Sequence, residues 1–90
     1  MSTAAVKIKI MPTSPDANLK KIEHSAKSII EGLVGKNCTF AEEPIAFGLK
    51  AIIAFFAWPE ELELEDLENS INNLEEVSSL QVIDMRRALG

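Results

Sequence analysis

Between Leu49 and Trp58 the chain carries a single charge, Lys50, and Pro59 closes the run. Ten residues are about half of the roughly 20 that a membrane-spanning helix needs. The run therefore has to be covered by other parts of the protein. Its length alone fits either a buried helix or a strand. Ile52, Ile53, Phe55, Phe56 and Trp58 favour the strand, because β-branched and aromatic side chains pack well on a pleated surface. A strand that is apolar on both faces belongs in the middle of a sheet. The remaining residues must supply a neighbour on each side and a covering layer.

They do so in a readable order. Val6, Ile8 and Ile10 alternate with Lys7 and Lys9 over Ala5–Met11, a strand with one face in water. Pro12-Thr13-Ser14-Pro15-Asp16 breaks it. Asp16 or Asn18 can then cap a helix by accepting a bond from a free backbone amide. Leu19, Ile22, Ala26, Ile29, Ile30 and Leu33 recur at spacings of three and four, one apolar stripe of that helix. Gly35 ends it, with Lys36 beside the negative end of its dipole. Cys38–Ala41 reads as a short strand and Glu42–Lys50 as a connection into the apolar run. After Glu60-Glu61, Leu64, Leu67, Ile71 and Leu74 form a second stripe, with Glu65, Asp66, Glu68, Asn69, Asn72 and Asn73 opposite. Val77–Met85 reads as a last strand, and Asp84–Gly90 runs off its end.

Strand, helix, strand, strand, helix, strand in this order predicts two interleaved strand–helix–strand units with right-handed crossovers. The expected fold is α+β and ferredoxin-like: a four-stranded antiparallel sheet of order 4-1-3-2 with two helices on one face. The apolar third strand then lies in the centre, as its two faces require.

Ninety residues allow one domain, taken as 1–90, that covers roughly 60–65% of the surface of its unfolded chain. A net charge of -5 argues against a general nucleic-acid binder, which needs a clustered positive field. One cysteine cannot form an internal disulfide, so Cys38 is expected to be a small buried apolar residue in a reducing, cytoplasmic setting. The start of the chain lacks the pattern of a secretory signal, and no stretch is long enough to cross a membrane. His24 is the only histidine, so a zinc site lacks its ligands. A Cys38–His24 nucleophile pair has nothing to recommend it beyond the presence of both residues. Glu42-Glu43 and Glu60-Glu61 are adjacent pairs whose side chains diverge in extended chain, so they read as solvated acids. Without a glycine-rich phosphate loop, the chain is not expected to hold a nucleotide, a metal or any cofactor.

The connection is the unusual stretch. Pro44 fixes its own backbone and restrains Glu43, while Gly48 can adopt angles closed to other residues. Between them stand Ile45, Ala46 and Phe47, where connections normally carry turn chemistry. From the residues alone, Phe47 either folds back onto the core or points at a partner, and folding back is favoured because exposing an aromatic ring is costly.

Pro44-Ile45-Ala46-Phe47-Gly48-Leu49-Lys50, with paired acids before it and an apolar strand after it, resembles the signature of translation elongation factor 1-beta in its short archaeal form. Ile8-Lys9-Ile10-Met11-Pro12 and Val82-Ile83-Asp84-Met85-Arg86-Arg87 match the same family in the right order. The resemblance implies the ferredoxin-like fold and a non-enzymatic role as guanine-nucleotide exchange factor for elongation factor 1-alpha, whose magnesium and phosphate region it perturbs. It assigns partner binding to Pro44, Ile45, Phe47, Gly48 and Lys50, with Phe47 as the loop aromatic. Eukaryotic members carry a lysine next to the last residue; here that position is Leu89, and the nearby cations are Arg86 and Arg87. These two arginines complete the expected partner surface. The long N-terminal extension of eukaryotic members is missing, which leaves the exchange module alone. Two other readings share the fold: a small-ligand regulatory module, and an RNA platform using Phe55, Phe56 and Trp58.

Overall fold

In a computed structural model, which describes residues 2–87, the chain runs as β1 (Thr3–Pro12), α1 (Leu19–Leu33), β2 (Lys36–Pro44), a single 3₁₀ turn (Ala46–Gly48), β3 (Lys50–Pro59), α2 (Glu65–Asn72) and β4 (Val77–Arg87). The sheet order is β2-β3-β1-β4, with every neighbouring pair antiparallel. This is the order 4-1-3-2 read from the other edge, and the apolar run is an inner strand as its composition demands.

Alternation sorts β1 into two faces. Ala4, Val6, Ile8 and Ile10 are buried and pair across the ladder with Trp58, Phe56, Ala54 and Ile52 of β3. These eight side chains, Ile22, Ala26 and Ile30 of α1, and Leu67 and Ile71 of α2 form one core, so both helices lie on the same face of the sheet. Asn18 is the α1 cap: its Oδ1 accepts from the Lys21 amide at 3.1 Å, meeting one of the free donors of the first turn. Cys38 of β2 faces the same core. On the other face, Ala51 and Ile53 of β3 are also buried although no helix covers them. Ile53 is flanked there by Lys9 and Ala41, and the lysine stem covers apolar surface while its head stays in water.

The structure differs from the sequence reading at four points. Glu42, Glu43 and Pro44 belong to β2, not to the connection. They are tolerated because β2 is an edge strand, paired on one side only, where charges and a terminal proline cost little. Leu33 does not join the α1 stripe; it is 43% exposed, since α1 ends there and the chain turns away through Val34 and Gly35. A Cβ on Gly35 would collide with the side chain of Ile30, whose carbonyl accepts the Gly35 amide at 2.9 Å. Arg86 and Arg87 are strand residues opposite Ala5 and Ala4, not a free tail, because β1 begins early enough to pair with them. β4 also carries a register shift: Lys7 faces Asp84 but Ile8 faces Val82, which leaves Ile83 as an extra residue.

Candidate functional site

The β2–β3 hairpin closes at the pair Pro44–Lys50, and the loop between is tightly bonded. The Ile45 amide donates to the Leu49 carbonyl at 2.7 Å, and the Leu49 amide donates to the Ala46 carbonyl at 3.3 Å. Phe47 and Gly48 both have positive φ, 63° and 76°. Glycine takes that conformation freely; for phenylalanine it costs about 1–2 kcal/mol. Ile45 and Leu49 turn inwards and are half-buried. Gly48 lies against Pro15 of the β1–α1 connection, with room there for ordinary contact. Lys50 reaches Glu42 at 4.0 Å, an exposed cross-strand pair.

Phe47 itself is 93% exposed. The fold-back expected from the residues alone is therefore wrong. The two left-handed residues turn the ring outwards, and the half-buried Ile45 and Leu49 do the packing at the base of the loop. Five of the expected contact residues, Pro44, Ile45, Phe47, Gly48 and Lys50, thus share one stiff hairpin end.

Arg86 and Arg87 stand elsewhere. Each meets a carboxylate: Arg86 Nε lies 3.0 Å from Asp84 Oδ2, and Arg87 Nε lies 2.9 Å from Glu60 Oε1. Asp84 precedes Arg86 by two in the same strand, a spacing visible in the sequence. Glu60 is distant in sequence and gave no such signal. Ala4 pairs with both Arg87 and Trp58, whereas Lys50 begins β3 at the hairpin. The arginines and the hairpin tip are therefore at opposite ends of β3, roughly 25 Å apart at about 3.3 Å per residue. That separation runs along a molecule 41 Å long. Leu89 lies outside the described residues.

The other sequence candidates lose their chemistry in place. Cys38 is buried, and its thiol is pushed up to about 11, first by burial and then by Glu31, with Lys27 opposing. It is held protonated at neutral pH, the weakly nucleophilic form of a thiol. His24 is exposed on α1. Of the three aromatics offered to RNA, only Phe55 is on the open face, with Lys7 Nζ 5.3 Å from its ring centre. Phe56 and Trp58 face the helices, edge to face with each other at 6.0 Å. Among the described residues no helix is long and apolar enough to cross a membrane.

Comparison with known proteins gives the family. The family model for the EF-1 guanine nucleotide exchange domain matches residues 5–88. Elongation factor 1-beta of Methanocaldococcus jannaschii is 36% identical over 89 residues, 98% of this chain and 100% of the relative. The protein of the same name from Methanosarcina barkeri is 38% identical over 88 residues, 97% of this chain and 99% of the relative. That from Methanococcus vannielii is 34% identical over 86 residues, 94% and 97% respectively. Matches of this length take in the hairpin, both helices and all four strands, and the chain belongs to the EF-1 guanine nucleotide exchange domain family.

Proposed function

We propose that residues 1–90 act as a single exchange domain that promotes replacement of GDP by GTP on elongation factor 1-alpha, with Phe47 as the anchor. The observation that carries this reading is the ring's position: exposed, and held by a backbone conformation that disfavours any residue with a side chain. Strain of this kind persists where the surrounding structure enforces it, here the hydrogen bonds that close the hairpin, but turning the ring into water gains the isolated domain nothing. A partner pocket does. The loop is already set, so little conformational entropy is lost when the ring is buried.

An exchange factor works by linkage. It binds the nucleotide-free partner more tightly than the nucleotide-bound one, and by reciprocity it weakens the nucleotide's hold. In a GTPase that hold rests on phosphate-cradling amides and Mg²⁺. With the anchor at one end of β3, the opposite end is free to act at a second place on the same partner. Arg86 and Arg87 are cations at that end, able to compete for phosphate oxygens or for carboxylates that position the metal. Their present ion pairs are exposed and contribute only about 0–1 kcal/mol each, so exchanging them for partner groups is cheap. The domain performs no covalent chemistry in this scheme. Its place is the cytoplasm, where translation proceeds and where a free Cys38 persists.

Release of fluorescently labelled GDP from elongation factor 1-alpha, with and without this chain, tests the reading. Acceleration that saturates with chain concentration is expected. An unchanged rate at saturation refutes it.

A further inference from the structure

At the end of the molecule remote from Phe47, a hollow of about 410 Å³ opens between the close of α1 and the approach to α2. Its walls are Leu33, Val34 and Leu62, exposed by 43%, 40% and 44%, and Trp58 lies between them. Three of the large apolar side chains that the domain leaves in water thus surround one concavity. The walls are fixed. Trp58 Nε1 donates to the Leu62 carbonyl at 3.1 Å, the Leu62 amide donates to the Pro59 carbonyl at 3.2 Å, and the Val34 amide caps α1 on Ile30.

The rim decides what such a hollow accepts. Glu63, Glu65 and Asp66 line it and no lysine or arginine does. None of the three carboxylates has an ion-pair partner among the described residues. The positive end of the α2 dipole and the negative end of the α1 dipole both approach the hollow and offset each other, which leaves the field of three carboxylates. Nucleic acid and anionic membrane are repelled by it. A protein segment with apolar side chains at helical spacing and lysine or arginine beside them satisfies walls and rim together.

We propose that this hollow is a docking site for a basic amphipathic segment of a protein partner, separate from the contact made by Phe47. Leu33, Val34 and Leu62 receive its apolar side chains over Trp58, and Glu63, Glu65 and Asp66 receive its cations. Because the charges are on the rim, they govern encounter and salt dependence, while the apolar walls govern how long the segment stays.

Trp58 is the only tryptophan, so its emission reports occupation directly. The probe is a short synthetic helix of leucine and lysine with leucine at i, i+3, i+4 and i+7; the control is the same composition scrambled. The expected result is binding at least tenfold tighter for the amphipathic probe than for the control, with a shift in Trp58 emission. Leu33→Lys and, on the other wall, Leu62→Lys should each weaken binding at least tenfold. Glu63→Gln combined with Asp66→Asn should weaken it and flatten its salt dependence, and Phe47→Ala should leave it unchanged. Equal binding of probe and control, or wild-type binding by both wall variants while folded, overturns the proposal. So does self-association of the chain that Leu33→Lys abolishes, which would give the hollow to a second copy.

Discussion

Replacing Phe47 separates anchor from core in a single pair of variants. With the ring 93% exposed, less than a tenth of about 200 Å² of aromatic side chain is covered in the free domain. At about 25 cal/mol per Å² the folded state gains at most about 0.5 kcal/mol from it. Phe47→Ala should therefore melt within a few degrees of wild type, where a core phenylalanine would cost about 3–5 kcal/mol. Phe47→Gly goes further. It relieves a left-handed conformation worth about 1–2 kcal/mol and loses about 0.5–1 kcal/mol to the freer unfolded backbone. A small net gain is expected, and about 4–8 °C per kcal/mol makes it a rise in Tm of a few degrees. Exchange should respond in the opposite sense. An anchor whose truncation costs about 2 kcal/mol lowers kcat/KM for GDP release about 30-fold in both variants, at about 1.4 kcal/mol per factor of ten. Calorimetric melts and stopped-flow release of labelled GDP measure the two effects. A fall in Tm beyond about 10 °C for Phe47→Ala, or wild-type exchange by both folded variants, refutes the reasoning.

The arginine end is tested by Arg86→Ser with Arg87→Ser, which should slow exchange and weaken its dependence on salt. Their exposed ion pairs leave the melting point within a few degrees, and a purely thermal defect would mark them as structural. Leu67 is fully buried, so Leu67→Asp puts an unpaired charge in the core at a cost of several kcal/mol; a variant that melts like wild type would take α2 out of the core. Gly35→Ala should lose about 1–3 kcal/mol by overpacking against Ile30. Gly32→Ala, in a helix position with open space around it, should gain about 1 kcal/mol, and the two melts should move in opposite directions. The Cys38 thiol has its folded pKa raised to about 11 from 9.0, so its protonated form stabilises the native state below pH 9 and that contribution fades as pH rises to about 11. The difference in Tm between wild type and Cys38→Ala, followed across that window, should change in wild type's disfavour.

How much could be read before the structure depended on whether one segment's composition answered one physical question. Val6–Ile10 and the pair Leu67 and Ile71 each bury a single face, and the alternation or the stripe names that face directly. A cap at Asp16 or Asn18 was legible for the same reason, since the role is local, and the structure gives it to Asn18. Glu42-Glu43-Pro44 looked like a loop because acids and proline disfavour strands. Only the sheet's topology shows that β2 is an edge, where those residues are tolerated. The exposure of Phe47 runs against what its residue type suggests: aversion of an aromatic to water is a property of the ring, whereas its exposure is imposed by two consecutive backbone angles. The distance between Phe47 and Arg87 could not be read from spacing at all. It follows from which strand lies beside which, and that is settled by pairing far along the chain.

The extra residue Ile83 in β4 has a consequence for where charge ends up. Side chains in a strand alternate, so one extra residue exchanges inside for outside in everything beyond it unless a bulge leaves that residue unpaired. Before Ile83, Leu80 and Val82 point to the helices; past it, Asp84 stands opposite Lys7 and Arg86 opposite Ala5, both on the open face. Were Ile83 paired in register instead, it would stand opposite Lys7, Asp84 would fall opposite Val6 with its carboxylate aimed under the helices, and the two arginines would trade sides. The bulge at Ile83 therefore sets the parity of the end of the strand. Deleting Ile83 should leave Asp84 opposite Lys7, whereas drawing it into the ladder would invert the polarity of a surface roughly 25 Å from the hairpin. A one-residue change in the length of β4 is neutral to this face only where a bulge absorbs it.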